Sequence, residues 1–256
     1  MLTRKLKNPL QMPKRPIASL SLRTVEGKIL QALSEAIEGA SGQNSEANLF
    51  STRSGFGDKV RIVVGFSGGR DSVALLKSLC VLRDKRNSPV ADILALHVHH
   101  SLSPNANKWA RFCRHMAEDL DVQFKVMYVR VKSKGEGIEA AAREARYDAI
   151  FKAAASFDAD MVMTAHHQDD RLETFLIQWM RGAGPDGLAT FPMARTVGSI
   201  KLVRPLMRLP RGLLERYLEL YHMDWVEDES NADTAYLRNA IRHEVLPVLG
   251  AIRPGF

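Results

Sequence analysis

The residues able to do chemistry fall in a few short runs. The first is Ser67-Gly68-Gly69-Arg70-Asp71-Ser72. It follows Val60 to Phe66, apolar and β-branched apart from Arg61, and precedes the apolar run Val73 to Leu79. The leading run reads as a buried strand, and the trailing one as a helix over 71–83. A strand, a glycine turn and a helix N-terminus make an anion site, because free N–H groups point outward and the dipole favours negative charge. The glycines let backbone approach a phosphate closely. The spacing is too short for a Walker loop, and the Lys is missing. The three spaced glycines of the dinucleotide fingerprint are also absent. A tight βα turn with an Asp/Ser cap is the plain alternative. With strand, Asp, Ser and helix all in register, phosphate binding is the better reading.

The second run is Thr164-Ala165-His166-His167-Gln168-Asp169-Asp170-Arg171-Leu172-Glu173-Thr174. Helical spacing puts His166, Asp170 and Glu173 on one face, with Asp169 and Glu173 at i, i+4. Acids at a helix start can simply favour the dipole. Histidines plus three carboxylates at a strand end, however, are costly to gather without a charged ligand. Carboxylates near phosphates suit Mg²⁺, typically held by one or two of them plus phosphate oxygens. Asp71 and Asp170 are the candidate metal ligands.

In the third run, Gly137 to Tyr147, residues Glu139, Arg143 and Arg146 fall at i, i+4 and i+7 among small alanines. They form either a solvated charge stripe or a pocket wall. His97, His99 and His100 close a further apolar run. His97 and His99 share a strand face. No third metal ligand follows nearby, so they read as polar lining of a nucleotide pocket.

These runs need elements to hold them. The pattern predicts helices over 24–40, 105–120, 138–156, 168–181 and 210–221, strands over 92–99, 123–131 and 161–165, and a short hairpin within 182–200. Strands alternating with helices predict an α/β fold: a doubly wound, mainly parallel sheet with a small C-terminal helical appendage. Ligands in such folds sit at the carboxyl ends of strands, where every run above lies. The chain divides into a flexible basic arm at 1–23, a catalytic domain at 24–205 and a helical appendage at 206–256. Three prolines, Pro9, Pro13 and Pro16, argue against a stable helix in the arm; an organellar presequence or a start at Met12 are alternatives.

Composition narrows the classes. The chain has 256 residues, a formal charge of +7 and 45% hydrophobic residues. That suits a globular protein with a polyanionic partner. No apolar run reaches the ~18 residues of a membrane span. Cys80 and Cys113 form no C-x-x-C pair and read as structural thiols of a reducing compartment, here the cytoplasm.

The Ser67 to Ser72 run resembles the SGGxDS signature of the PP-loop ATP pyrophosphatases, which cleave ATP to AMP and pyrophosphate while adenylating a substrate oxygen. Further runs narrow the resemblance to the tRNA(Ile)-lysidine synthetase family: Gly137 to Tyr147, Ala165 to Thr174, Arg181 to Leu188, Arg204-Pro205-Leu206, Trp225 to Asn231 and Arg238-Asn239-Ala240-Ile241-Arg242. These matches run in family order from about 60 to 248. The resemblance implies ATP-dependent joining of free L-lysine to C2 of the wobble cytidine of tRNA(Ile) with a CAU anticodon, through an adenylated base.

By match, Ser67, Gly68, Gly69, Asp71 and Ser72 hold ATP, with Arg70, His97 and His166 beside them. Glu139, Arg143 and Arg146 line the cytosine and lysine pockets. Asp169, Asp170 and Glu173 are candidates for metal contact, lysine recognition or proton removal. Arg204, Arg208, Arg211, Arg216, Arg238 and Arg242 form a basic series, either ordinary surface charge or a grip suited to tRNA phosphates, and Arg181, Arg204, Arg238 and Arg242 are the candidate substrate-binding members of the basic set. One departure follows the second strand. The family often shows His-x-x-His-Gly-Leu-Arg, where this chain has His97-Val98-His99-His100-Ser101-Leu102-Ser103. A PP-loop tRNA thiolase and a non-catalytic nucleotide- or tRNA-binding module are the rival readings.

Overall fold

The computed structural model describes residues 16–42, 59–101, 103–130, 138–189 and 191–252. The start of the basic arm, the Ser-rich loop before the first strand and the loop at 131–137 lie outside them. The arm is placed from Pro16 onward. Pro16–Ser19 forms a short 3-10 turn, and Ile17, Leu20 and Leu22 pack against the core. Those apolar side chains hold residues 17–22 against the domain.

Helix α1 (Leu22–Gly42) carries Val25, Ile29, Leu33 and Ile37 at i, i+4 spacing, all essentially buried. Burying each large side chain contributes about 1.5–3 kcal/mol. Strand β1 (Val60–Gly65) leads into helix α2 (Arg70–Arg83). Then follow β2 (Val90–His99), α3 (Ala106–Asp119), β3 (Gln123–Tyr128), α4 (Ile138–Ser156), β4 (Met161–Met163) and α5 (Gln168–Met180). A single turn, α6 (Pro185–Leu188), precedes the hairpin of β5 (Ala194–Val197) and β6 (Ile200–Val203). Gly198, at φ +61°, supplies the left-handed residue that this two-residue loop favours. The chain closes with α7 (Arg211–Leu220), α8 (Leu237–Ala240), one π turn at Ile241–Val245 and α9 (Leu246–Ile252).

The strands form one sheet in the order β3-β2-β1-β4-β6-β5. All neighbours are parallel except β5 against β6. Alternation along β1 divides its side chains between two cores. Ile62 and Val64 join α1, α2 and α7 on one face, while Val63 joins Ile150, Ala153 and Ala154 of α4 on the other. The doubly wound sheet expected from the alternating pattern is therefore the observed one. Strand β4 ends two residues earlier than the apolar run suggests, because the chain after Met163 turns out of the sheet to cap α5, and β3 ends three residues earlier, at Tyr128. Leu206, Leu213, Leu214, Tyr217 and Leu218 are buried in the same core as Ile29 and Leu75. Helix α7 thus packs as part of the main domain, although it follows the boundary expected at 205.

Winding reverses between β1 and β4: β2 and β3 extend one way from β1, and β4, β6 and β5 the other. That point, at the carboxyl ends of β1 and β4, is where a doubly wound sheet opens a crevice.

Candidate active site

The glycine loop sits at this crevice. Gly68 has φ +83°, and a Cβ there would lie 2.8 Å from Cys113 Sγ and 3.3 Å from the Phe112 ring. Only glycine fits both the backbone and the space. The Gly68 carbonyl accepts from the Val226 N–H at 2.9 Å, so the loop is backed by the segment after α7. The Ser72 hydroxyl donates to the Gly69 carbonyl at 2.8 Å, and the Ser67 hydroxyl lies 3.1 Å from it. Ser67 also accepts from the Gly69 N–H at 3.2 Å. The hydroxyls thus brace the turn, while the first N–H groups of α2 lack intrahelical partners.

His97 lies under this loop. Its Nδ1–H donates to the Phe66 carbonyl at 3.0 Å, and Cys113 Sγ is 3.4 Å away. Burial lowers its pKa, with His99 adding to the effect against the Phe66 bond. A neutral His97 therefore supports the loop from below. Arg70 turns away from the crevice: its guanidinium meets Glu215 at 3.1 Å and stacks over Trp225.

Across the crevice, His167 caps α5. Its Nδ1 accepts the Asp169 N–H at 3.2 Å, and Asp170 accepts the His167 N–H at 2.9 Å in return. His167 Nε2 lies 3.4 Å from Asp71 Oδ2 and 3.5 Å from Asp170 Oδ2. The nucleotide loop and the acidic helix therefore meet on one ring that is 1% exposed. Burial pulls the His167 pKa down, but the hydrogen bond it donates to Asp71 and the charges of Asp170, Asp71 and Asp169 outweigh it, so it stands above its ordinary value. Burial pushes the Asp71 carboxyl up, yet His167, Arg211 and Arg70 bring it below the usual carboxylate range. His166 precedes the helix, so it does not share a helical face with Asp170 and Glu173. Its Nδ1 lies 2.9 Å from the Thr164 hydroxyl, and its ring meets Phe191 edge-on. Burial takes its pKa down to about 3, with Asp170 opposing and Arg204, Arg143 and Arg238 assisting.

The three acids differ in freedom. Glu173 has no exposed side-chain surface and is gripped by Arg242 at 2.6 and 2.9 Å, with Arg238 Nε at 3.6 Å. Burial raises its pKa, and the two arginines only partly offset this. Asp170 has one oxygen on His167 and the other 3.7 Å from Arg242. Asp71 Oδ1, by contrast, is a buried atom with no protein partner. That orphaned oxygen, in the first turn of the helix that follows the glycine loop, fits one protein ligand of Mg²⁺. Asp170, already engaged twice, fits less well. Among the described residues no three His, Cys, Asp or Glu side chains form a metal cage.

Of the basic series, Arg238 and Arg242 bind the acidic helix. Arg204 is buried, donating to the Pro192 carbonyl at 2.8 Å beside the Phe191 ring. Arg181 is exposed at the far end of α5, about 20 Å from its start by helical rise. Arg143 packs on Tyr147, and Arg146 donates to His100 Nε2 at 3.4 Å. The side chain of Glu139 lies outside the described residues. Two residues escape the sequence reading. Arg211, whose charge acts on Asp71, has a buried Nε with no partner; only its place in a basic series marked it. His167 is not among the usual capping residues, so no cap signal singled it out.

A PP-loop domain model matches residues 42–249. The tRNA(Ile)-lysidine synthase of Chromobacterium violaceum is 47% identical over 195 residues, covering 75% of this chain and 43% of that protein. That of Histophilus somni is 43% identical over 194 residues, covering 76% and 44%. The chain thus spans less than half the length of these relatives. In structure it resembles a U34-tRNA thiolase from Methanococcus maripaludis, with TM-score 0.71 and 12% identity over 91% of this chain and 75% of that one. At that identity the likeness concerns the fold alone. Among the described residues no helix is long and apolar enough to cross a membrane. With the glycine loop, the crevice and both acidic and basic helices inside the matched segment, the chain belongs to the PP-loop family.

Proposed function

We propose that the chain is the catalytic part of a cytoplasmic tRNA(Ile)-lysidine synthase. ATP and free L-lysine would be its small substrates and a CAU-anticodon tRNA its large one. The observation that carries this is the meeting of Asp71 and Asp170 on one buried ring. It aims the phosphate loop and the acidic helix at a common point.

In this reading the wobble cytidine's C2 carbonyl oxygen attacks the α-phosphorus of ATP, and pyrophosphate leaves. The lysine ε-nitrogen then attacks C2, AMP departs with its oxygen, and one proton is lost. A carbonyl oxygen is a poor leaving group and AMP a good one. The loop N–H groups and Arg211 hold phosphate charge, and Ser67 and Ser72 keep the turn rigid. Mg²⁺, held by Asp71, would neutralise charge on the departing pyrophosphate. Asp169 and Asp170 would attract the lysine amine and take its proton. The target base must leave its stack to reach the crevice.

A sulfur-transfer reading finds less support. Cys80 and Cys113 are both buried, and burial pushes their thiols up to about 11 and about 12. Such thiols are poor nucleophiles. The test is pyrophosphate release over many turnovers: it should require tRNA for the first turnover, lysine as well for continued turnover, and vanish in Asp71→Ala. Nucleotide binding without turnover would favour a binding module instead.

A further inference from the structure

We propose that His167 is a positioning residue that ties the nucleotide loop to the acidic helix and sets the carboxylate of Asp71 for its ligand. This rests on the adenylating function above.

The ring does two jobs with its two nitrogens. Nδ1 accepts the Asp169 N–H, so in the neutral ring the proton sits on Nε2. That single N–H lies between Asp71 Oδ2 and Asp170 Oδ2, at 3.4 and 3.5 Å. Both distances exceed one optimal hydrogen bond, as a shared donor gives. Capping alone does not explain the residue. Ser, Thr, Asp or Asn caps a helix as well or better, in less space. What histidine adds is a second nitrogen on the far side of a rigid ring, and here it reaches the neighbouring loop. It also separates two carboxylates with a donor. The consequence for Asp71 is orientation: Oδ2 is held, and Oδ1 is left buried and unpartnered. Without the ring, the carboxylate would be free to turn toward Arg70 or Arg211, whose charges already act on it.

Two substitutions separate the jobs. In His167→Asn the amide oxygen replaces Nδ1 and keeps the cap, but nothing reaches Asp71. In His167→Gln the amide nitrogen replaces Nε2 and keeps the donor, while the cap is lost. Three readouts are needed: the thermal midpoint, the Mg²⁺ dependence of ATP-analogue binding, and lysine-dependent pyrophosphate release. For His167→Asn the inference expects a near-normal midpoint with Mg²⁺-dependent affinity and kcat each lower by about tenfold or more, the usual scale for an outer partner of a metal ligand. His167→Gln should melt lower yet keep both. A His167→Asn protein with normal Mg²⁺-dependent binding would overturn the inference, as would losses that simply follow the melting point in both variants. If the unsubstituted chain releases no pyrophosphate, the proposed function fails, while the binding measurement still decides the role of His167.

Discussion

Arg242 Nε lies 2.6 Å from Glu173 Oε1, and Nη2 lies 2.9 Å from Oε2, a two-pronged grip on a carboxylate with no exposed surface. The pair fastens the C-terminal turns to α5, 69 residues away in sequence. Removing one partner leaves a buried charge. Arg242→Ala should therefore destabilise the chain by about 3–5 kcal/mol, whereas Arg242→Met with Glu173→Leu should recover much of that loss. Urea unfolding of the three proteins measures both. Equal losses in the single and double variants would show that the pair does not hold the turns.

The glycine loop makes a sharper demand. Gly68→Ala meets both a left-handed backbone and the Cys113 sulfur at 2.8 Å. The backbone alone costs about 1–2 kcal/mol for an L residue. Nucleotide affinity should fall by about tenfold or more, each tenfold being 1.4 kcal/mol. Adding Cys113→Ala should relieve the contact but not the backbone, so recovery is partial. Calorimetric titration with a non-hydrolysable ATP analogue reads both effects.

How much of this was legible in sequence follows physical range. The glycine loop announced itself because its strand, turn and helix are contiguous. The order of β1 to β4 was readable because each apolar run is local. The arginines were legible only as a basic series. Arg238 and Arg242 point at Glu173, and Arg70 points at Glu215; neither pairing leaves a trace in spacing. His166 was misplaced because helical spacing was carried back past the helix start, which was expected and is found at Gln168. The β6 strand, four residues joined in parallel to a partner far upstream, depends on the same long-range placement.

Arg70 gives a prediction opposite to its place in the motif. Its guanidinium serves Glu215 and Trp225 rather than the crevice. Arg70→Ala should leave the KM for ATP within about threefold and reduce stability by about 1 kcal/mol or less, as a largely peripheral pair does. A loss of ATP affinity with unchanged stability would show that the side chain swings to the phosphates.

Acid should loosen the site through two half-buried histidines, His166 and His100. Burial takes the pKa of His166 to about 3 and, with Arg146, that of His100 to about 4. An unfolded histidine titrates near 6.5, so between these values the unfolded chain binds more protons. Stability is then fully present above about pH 6.5 and is lost as pH falls, by up to about 1.4 kcal/mol per pH unit for each histidine. Unfolding midpoints at pH 7 and pH 5 test the slope, which His166→Gln and His100→Asn should each flatten. An unchanged slope in both variants would assign acid sensitivity elsewhere.

The most direct test of the whole account is the mass of the wobble nucleoside. CAU-anticodon tRNA(Ile) is incubated with the chain, ATP, Mg²⁺ and isotopically labelled lysine, then digested and analysed. The account predicts a cytidine heavier by one labelled lysine less water, dependent on ATP and absent with Asp71→Ala. Unmodified cytidine from a chain that binds both ATP and tRNA would contradict it.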